Sequence, residues 1–291
     1  MCNGLRRLAA IETRCRRTFA PCDRSGRSGD DFIRSIFCPY SYPFRVEEPV
    51  AAATLKVISL QVIPPIDHWY PATRPPALSP GGLHLWKIRA GCGGAPLARL
   101  WPLLSRRESK RAAKLRFDHH RARYIRARAG LRMILSTYLG IEPGAIGFQY
   151  GKAGKPFLED TSSGLEFNLT NSGDLALVAL SMGASIGVDC ERIRDHGDVV
   201  AIADRMFTPE QAARIADATS EERLRQFHVA WTALEAEVKA DGRGLLGRHR
   251  PAAQVALQIG HCAPEPGFIT AVAHERLPPV GDWGTLTLSA D

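Results

Sequence analysis

The chain has 291 residues, 45% of them hydrophobic and 23% charged, with a formal charge of +8. That composition supports a packed core and excludes a wholly disordered chain. The uncharged run Leu175 to Val188 has 14 residues and contains Ser and Gly, too short and too polar to span a bilayer. Seven cysteines with no C-x-x-C pair suggest neither a zinc site nor a disulfide framework, and point to a reducing, cytoplasmic setting.

Residues 1–34 are rich in Arg, Ser, Gly and Cys and show no sustained period. They lack the apolar core of a secretory signal, and six acids before residue 50 argue against a transit peptide. Pro64, Pro65, Pro71, Pro75, Pro76 and Pro80 then lead to Gly81-Gly82. Residues 1–81 therefore read as a poorly ordered extension followed by a Pro-rich linker.

From Leu83 the pattern is that of a folded protein. Leu83 to Ile88 alternates as a strand. Ser105-Arg106-Arg107-Glu108 has the form of a capping box that opens a helical region. Tyr124, Ala127, Leu131, Ile134 and Tyr138 recur at helical spacing, which predicts a long helix ended by Gly140, with arginines on its other faces. Short apolar runs follow at Ile146–Tyr150, Leu165–Leu169, Leu175–Leu180 and Ile186–Cys190, with a turn expected over Asn171 to Asp174. Thr208-Pro209-Glu210-Gln211 is a second helix start, and another helix is expected from Glu221 to Ala240. The runs Val255–Ile259, Phe268–Ala273 and Thr285–Leu288 read as closing strands. The class is α+β, without regular βαβ alternation.

The positive charge is local. Ser105 to Arg132 holds eleven Lys/Arg against Glu108 and Asp118, a net +9. Such a segment suits an anionic partner (nucleic acid, phosphorylated cofactor or acidic protein) or else is a solvated helix face. No nucleic-acid recognition module accompanies it, and few aromatics interleave the arginines, so nucleic acid is not an expected partner.

Three constellations carry candidate chemistry. Asp189-Cys190-Glu191 places two carboxylates on one side of a strand, where Mg²⁺ would relieve their repulsion; a solvated strand end is the plainer alternative. In Trp231 to Lys239, Glu235 and Lys239 share a helix face as either an ordinary ion pair or a third carboxylate with a phosphate contact. The turns around Gly154-Lys155-Pro156 and Asn171-Ser172-Gly173 let backbone amides approach an anion, although neither is a Walker loop. No nucleophilic triad suggests itself, and His119-His120 reads as exposed.

The order of these pieces resembles Sfp-type 4′-phosphopantetheinyl transferases. Gly154-Lys155-Pro156, Phe167-Asn168-Leu169-Thr170-Asn171-Ser172-Gly173, Gly187-Val188-Asp189-Cys190-Glu191 and Trp231-x-x-x-Glu235-Ala236-x-x-Lys239-x-x-Gly242-x-Gly244-Leu245 are similar to the family's GKP, FNxSHSG, GVDxE and WxxKEAxxKxxGxGL strings. The resemblance covers Leu83 onward. It implies two similar α+β halves forming a pseudo-dimer, here residues 82–185 and 186–291, working as a monomer with coenzyme A between them. It implies Mg²⁺-dependent transfer of the phosphopantetheine group from coenzyme A to a serine of an acyl or peptidyl carrier protein. It assigns Asp189, Glu191 and Glu235 to the metal, with Asp189 also against the cofactor. Glu235 is the candidate base, and Lys239 a phosphate contact and leaving-group partner. Lys155, Thr170, Asn171 and Arg111 would border the nucleotide. Three departures from the family stand out: Asn171 stands where it has His, Leu234 stands where it has Lys, and the Glu often found in its F-[ST]-P-x-E string is displaced, Phe207-Thr208-Pro209 being followed by Glu210 and then Gln211. The first two motivate an alternative, an idle relative that binds coenzyme A or a carrier protein without transfer.

Overall fold

A computed structural model describes residues 63–91, 95–195, 197–245 and 256–288. Residues 1–62 of the expected extension and linker over 1–81, and the beginning of the expected strand at Val255, lie outside these residues. The strands are β1 (Tyr70–Ala72), β2 (His84–Arg89), β3 (Phe148–Tyr150), β4 (Pro156–Leu158), β5 (Leu165–Ser172), β6 (Leu175–Met182), β7 (Gly187–Arg192), β8 (Gln258–Cys262), β9 (Phe268–His274) and β10 (Gly284–Leu288). The α-helices are α1 (Leu97–Leu100), α2 (Arg106–Lys114), α3 (Asp118–Leu139), α4 (Val199–Met206), α5 (Pro209–Asp217) and α6 (Ser220–Ala240). The α+β class follows directly from these elements. No helix among the described residues is long and apolar enough to cross a membrane.

Two sheets organise the molecule. The larger has the order β1-β10-β2-β6-β5, the smaller β7-β9-β8, and β3 and β4 form a separate hairpin. The last strand among the described residues, β10, enters the sheet of the first half, parallel to both β1 and β2. Part of the proline-rich stretch is built into the body as well. Pro65 bridges Ala263, β1 pairs with β10, and Trp69 Nε1 donates to the Pro264 carbonyl at 3.2 Å.

Packing explains the uncharged run. Ala176, Val178 and Leu180 of β6 face Leu131 and Ile134 of α3, while Leu175, Leu177 and Ala179 face Val188, Cys190 and Val272 of the smaller sheet. A strand covered on both faces reads as continuous apolar sequence. The β5–β6 turn is tighter than the sequence suggested. Asn171 and Ser172 remain in β5, so the loop is only Gly173-Asp174, with Gly173 at φ +58°. Both capping boxes form, at Ser105/Glu108 and at Thr208/Gln211, and Gly140 ends α3 in the left-handed region.

The basic helix departs from expectation. α3 is clasped from two sides, by the β6 cluster and by a second cluster in which Ala122, Ile125 and Ala129 meet Leu97, Leu100 and Ala112. Arg126, Arg128 and Arg132 are therefore buried rather than solvated. A buried guanidinium needs partners for its charge and its protons. Arg132, 1% exposed, donates Nε to Glu108 Oε2 at 2.8 Å and Nη1 to the carbonyls of Pro143 and Ile146. Arg126 Nε donates to the Ala95 carbonyl. Part of the +9 segment thus holds the fold together. Arg132→Met is expected to cost about 3–5 kcal/mol, because Glu108 is left as an uncompensated buried charge. Urea denaturation followed by tryptophan fluorescence measures it, and a loss under about 1 kcal/mol would show the pair to be worth no more than an exposed one.

Candidate active site at the junction of the two sheets

β5 and β7 belong to different sheets and are joined by side chains. Asn168 Oδ1 accepts from Val188 N at 2.9 Å, Thr170 Oγ1 donates to Asp189 Oδ1 at 3.1 Å, and Ser172 Oγ donates to Glu191 Oε2 at 2.9 Å. Ser172 Oγ also accepts from Arg192 N at 3.1 Å. The period of two in a strand puts residues 168, 170 and 172 on one face, opposite the paired carboxylates. Cys190, between those carboxylates, faces the core, where burial holds its thiol well above the ordinary range and leaves it no role as a nucleophile.

α6 closes the site from above. Phe227, Trp231, Leu234 and Val238 pack into a cluster with Ile202, Phe207 and Ile215. Ala236 and Ala240 lie on Ala271 and Ala273 of β9. The remaining stripe brings Glu235 and Lys239 over β7. Gly187 permits this approach, since a Cβ there would overlap the Ala236 carbonyl oxygen. Leu234, where the family has Lys, belongs to the helical core on another face from Glu235.

Lys239 Nζ lies 2.6 Å from Asp189 Oδ1 and 3.7 Å from Glu235 Oε2. Burial raises the Glu235 carboxyl to about 7, with Lys239 opposing and Asp189 reinforcing the rise. Glu191 is pushed to about 8, first by burial and then by the charge of Asp189, against the hydrogen bond from Ser172. Asp189 is 3% exposed, and its Oδ2 is buried without a hydrogen-bond partner.

An orphaned carboxylate oxygen between two carboxyls that resist ionisation fits a hard cation chemically. The three carboxylates do not make a preformed cage, however. Among the described residues, no group of three His, Cys, Asp or Glu side chains is arranged to hold a metal. Lys239 occupies the other Asp189 oxygen, so the cluster offers a partial ligand set of the kind Mg²⁺ completes with water and phosphate.

The nucleotide candidates are more dispersed. Thr170 is buried and engaged with Asp189. Asn171 is exposed, on the opposite face of β5 from the ladder. Lys155 Nζ donates to Ser185 Oγ and to the carbonyls of Ile186 and Ala240, and burial lowers its ammonium to about 8. Three acceptors engage all three of its protons, so Lys155 ties the β3–β4 hairpin to the end of α6. Arg111 lies half-buried in the last turn of α2. Sequence reading missed Asn168 and Ser172 as structural parts of the site. The alternation Asn168-x-Thr170-x-Ser172 signals them once β5 is recognised as facing β7.

A carboxyl raised by folding favours the folded state when protonated, so its contribution falls as pH rises from the ordinary 4.5 toward 7. The buried His84, His228 and His261 are lowered by burial and titrate with the opposite sign. Comparing wild type with Glu235→Gln isolates the carboxyl. Without metal, the stability of Glu235→Gln relative to wild type is expected to rise from pH 4.5 to about pH 7 and to level off above it. A difference that stays constant over that range, measured by urea midpoints in EDTA, would contradict the raised Glu235.

Comparison with known proteins bears on the same residues. A family model described as the 4′-phosphopantetheinyl transferase superfamily matches residues 185–264, which include β7, α6 and their connection. The 4′-phosphopantetheinyl transferase HetI of Nostoc sp. is 38% identical over 181 residues, 61% of this chain and 76% of that protein. The putative 4′-phosphopantetheinyl transferase slr0495 of Synechocystis sp. is 33% identical over 146 residues, 50% of this chain and 59% of its own length. A phosphopantetheinyl transferase of Thraustochytrium sp. is 28% identical over 182 residues, 57% of this chain and 63% of its own. With three quarters of the Nostoc protein matched and the motif residues gathered at one junction, the chain belongs to the 4′-phosphopantetheinyl transferase superfamily.

Proposed function

We propose that this chain transfers the 4′-phosphopantetheine group of coenzyme A to a serine hydroxyl of an apo carrier protein, releasing 3′,5′-ADP. The observation that carries the reading is the convergence of Asp189, Glu235 and Lys239 beneath α6, with Glu191 one strand position-pair away. The bond between the serine oxygen and the pantetheine phosphorus forms, the pyrophosphate P–O bond breaks, and the serine proton leaves. Such a reaction depends on positioning and charge neutralisation more than on covalent help.

Glu235 is the proposed proton acceptor, a carboxyl set beside Lys239 and Asp189 where the serine proton would leave. Lys239, within reach of both Asp189 and Glu235, steadies the phosphate oxygens and the departing 3′,5′-ADP. Asp189, Glu191 and Glu235 would hold Mg²⁺ together with the pyrophosphate, and the ion would supply neutralisation of the charge developing there. Thr170 fixes Asp189, and Asn171, exposed on the other face of β5, is kept as a candidate contact to the nucleotide. Arg111 is kept as a candidate contact to the cofactor's phosphate, and Lys155 acts on the site through the junction that it ties.

Incubating apo acyl and peptidyl carrier proteins with the full chain, coenzyme A and Mg²⁺ tests the reading by mass spectrometry. One phosphopantetheine group is expected on the carrier, and none in EDTA. Glu235→Gln is expected to slow transfer by about 10²–10⁴-fold, the range for loss of a general base. Asp189→Ala is expected to abolish it while far-UV dichroism is unchanged. Absence of transfer to every carrier while coenzyme A still binds would overturn the assignment in favour of an idle binder. Gly187→Ala supplies an independent check. Lifting α6 from β7 is expected to lower transfer by more than about 10-fold, as a misplacement near 1 Å suffices for that.

A further inference from the structure

Lys239 reaches Asp189 from the last turn of α6. That is the part of a helix that frays first, because its closing carbonyls have no partner within the helix. The charges around this turn are unexpected. Glu237 and Asp241 are four residues apart and share one side of the turn, with Lys239 between them on the other side. Like charges at that spacing repel, and both carboxylates lie at the negative end of the helix dipole. Helix stability alone would favour neither residue here.

Arg243 offsets both. The chain leaves α6 through Asp241 and turns back at Gly242 and Gly244, which are in the left-handed region at φ +72° and +69°. The turn lays the Arg243 guanidinium over the rear of the helix, where Nη2 pairs with Glu237 Oε1 and Nε with Asp241 Oδ2, the latter at 2.8 Å. The side chains of Arg243, Glu237 and Asp241 are 8%, 12% and 7% exposed, so solvent screens the bridge little. The Arg243 backbone amide donates to Asp241 Oδ1 at 3.0 Å. The closing carbonyls are tied as well: that of Val238 accepts from Gly244 N, and that of Ala240 from Ser185 Oγ at 2.6 Å and Lys155 Nζ at 3.0 Å.

We propose that Arg243 is a positioning residue for the reaction: by bridging Glu237 and Asp241 on the rear of the last turn, it holds Lys239 forward against Asp189. The inference rests on the transfer reading of Lys239 and extends it to a group on the opposite side of the helix. A guanidinium suits the role, because its planar fork presents separate N–H groups to two carboxylates, whereas an ammonium is a single point charge.

Hydrogen exchange and transfer kinetics on the same full-length variants test it. Arg243→Met is expected to speed exchange at the amides of Lys239, Ala240 and Asp241 by about 10-fold or more, with β7 and the first half of α6 unchanged. Its kcat is expected to fall by about 10-fold or more while the KM for the carrier stays within about 2-fold, because Lys239 serves the departing group rather than the carrier. Arg243→Lys is expected to lie between Arg243→Met and wild type in both readouts. Arg243→Met leaves two buried carboxylates uncompensated, so a second variant adds Glu237→Gln and Asp241→Asn and removes the charges together. This triple variant is expected to fold, with β7 protected as in wild type, and to keep both defects. Wild-type exchange and transfer in the triple variant would show Arg243 to be no more than a counter-charge for its two acids and would overturn the proposal. Faster exchange with transfer undiminished would overturn the positioning role. A wild type that transfers nothing would overturn the function itself, and with it the role in transfer, whatever the exchange shows.

Discussion

Asp189 sits beneath a helix and behind a strand with almost no access to water, and a carboxylate so placed needs a compensating cation within a few ångström. Lys239 provides it, at 2.6 Å, and most of the local architecture can be understood as what that contact demands. α6 has to descend onto β7 until the ammonium reaches, so residue 187 has to lack a side chain and residues 236 and 240 have to be small. The same descent carries Glu235 out of solvent and produces its raised carboxyl. One ammonium serves both Asp189 and Glu235, while Glu191 feels Asp189, Lys239 and Arg194, so ionising all three carboxyls together calls for further positive charge.

The polar ladder between β5 and β7 is the second half of the same arrangement. Backbone pairing cannot continue from one sheet into the other, so Asn168, Thr170 and Ser172 make the connection with side chains. Each is satisfied by a group on β7 and each lies next to a carboxylate or its supporting strand. The site is therefore assembled only when both sheets are present, and its floor is as rigid as the ladder that fixes it.

Much of this was legible in the sequence because the signals were local. Capping boxes at Ser105 and Thr208, the left-handed stop at Gly140 and the helix over Trp231–Lys239 depend on residues within one or two turns of each other. The paired carboxylates were legible for the same reason, as was the sharing of a helix face by Glu235 and Lys239. What was not legible depended on packing from a distance. Nothing near Arg132 indicates that Glu108, 24 residues earlier, will be buried against it. Lys155 looks like a loop cation until the end of α6, 85 residues later, supplies its acceptors. Asn171 and Ser172 look like turn residues, and only the partners of Ser172 on β7 show why the strand persists through them.

The placement of β10 bears on how the molecule comes into being. Thr287 Oγ1 donates to the carbonyl of Lys87 across 200 residues of chain, and the neighbouring strand β1 has β10 as its partner in the sheet. During synthesis, the flank of β2 stays open until β10, some 200 residues further along, has been made. Contacts of such long separation slow folding, and an uncovered strand flank in the interval is an invitation to pair with another chain. The closed native sheet is thus the product of a delayed event, in which β10 locks onto strands that were translated well before it.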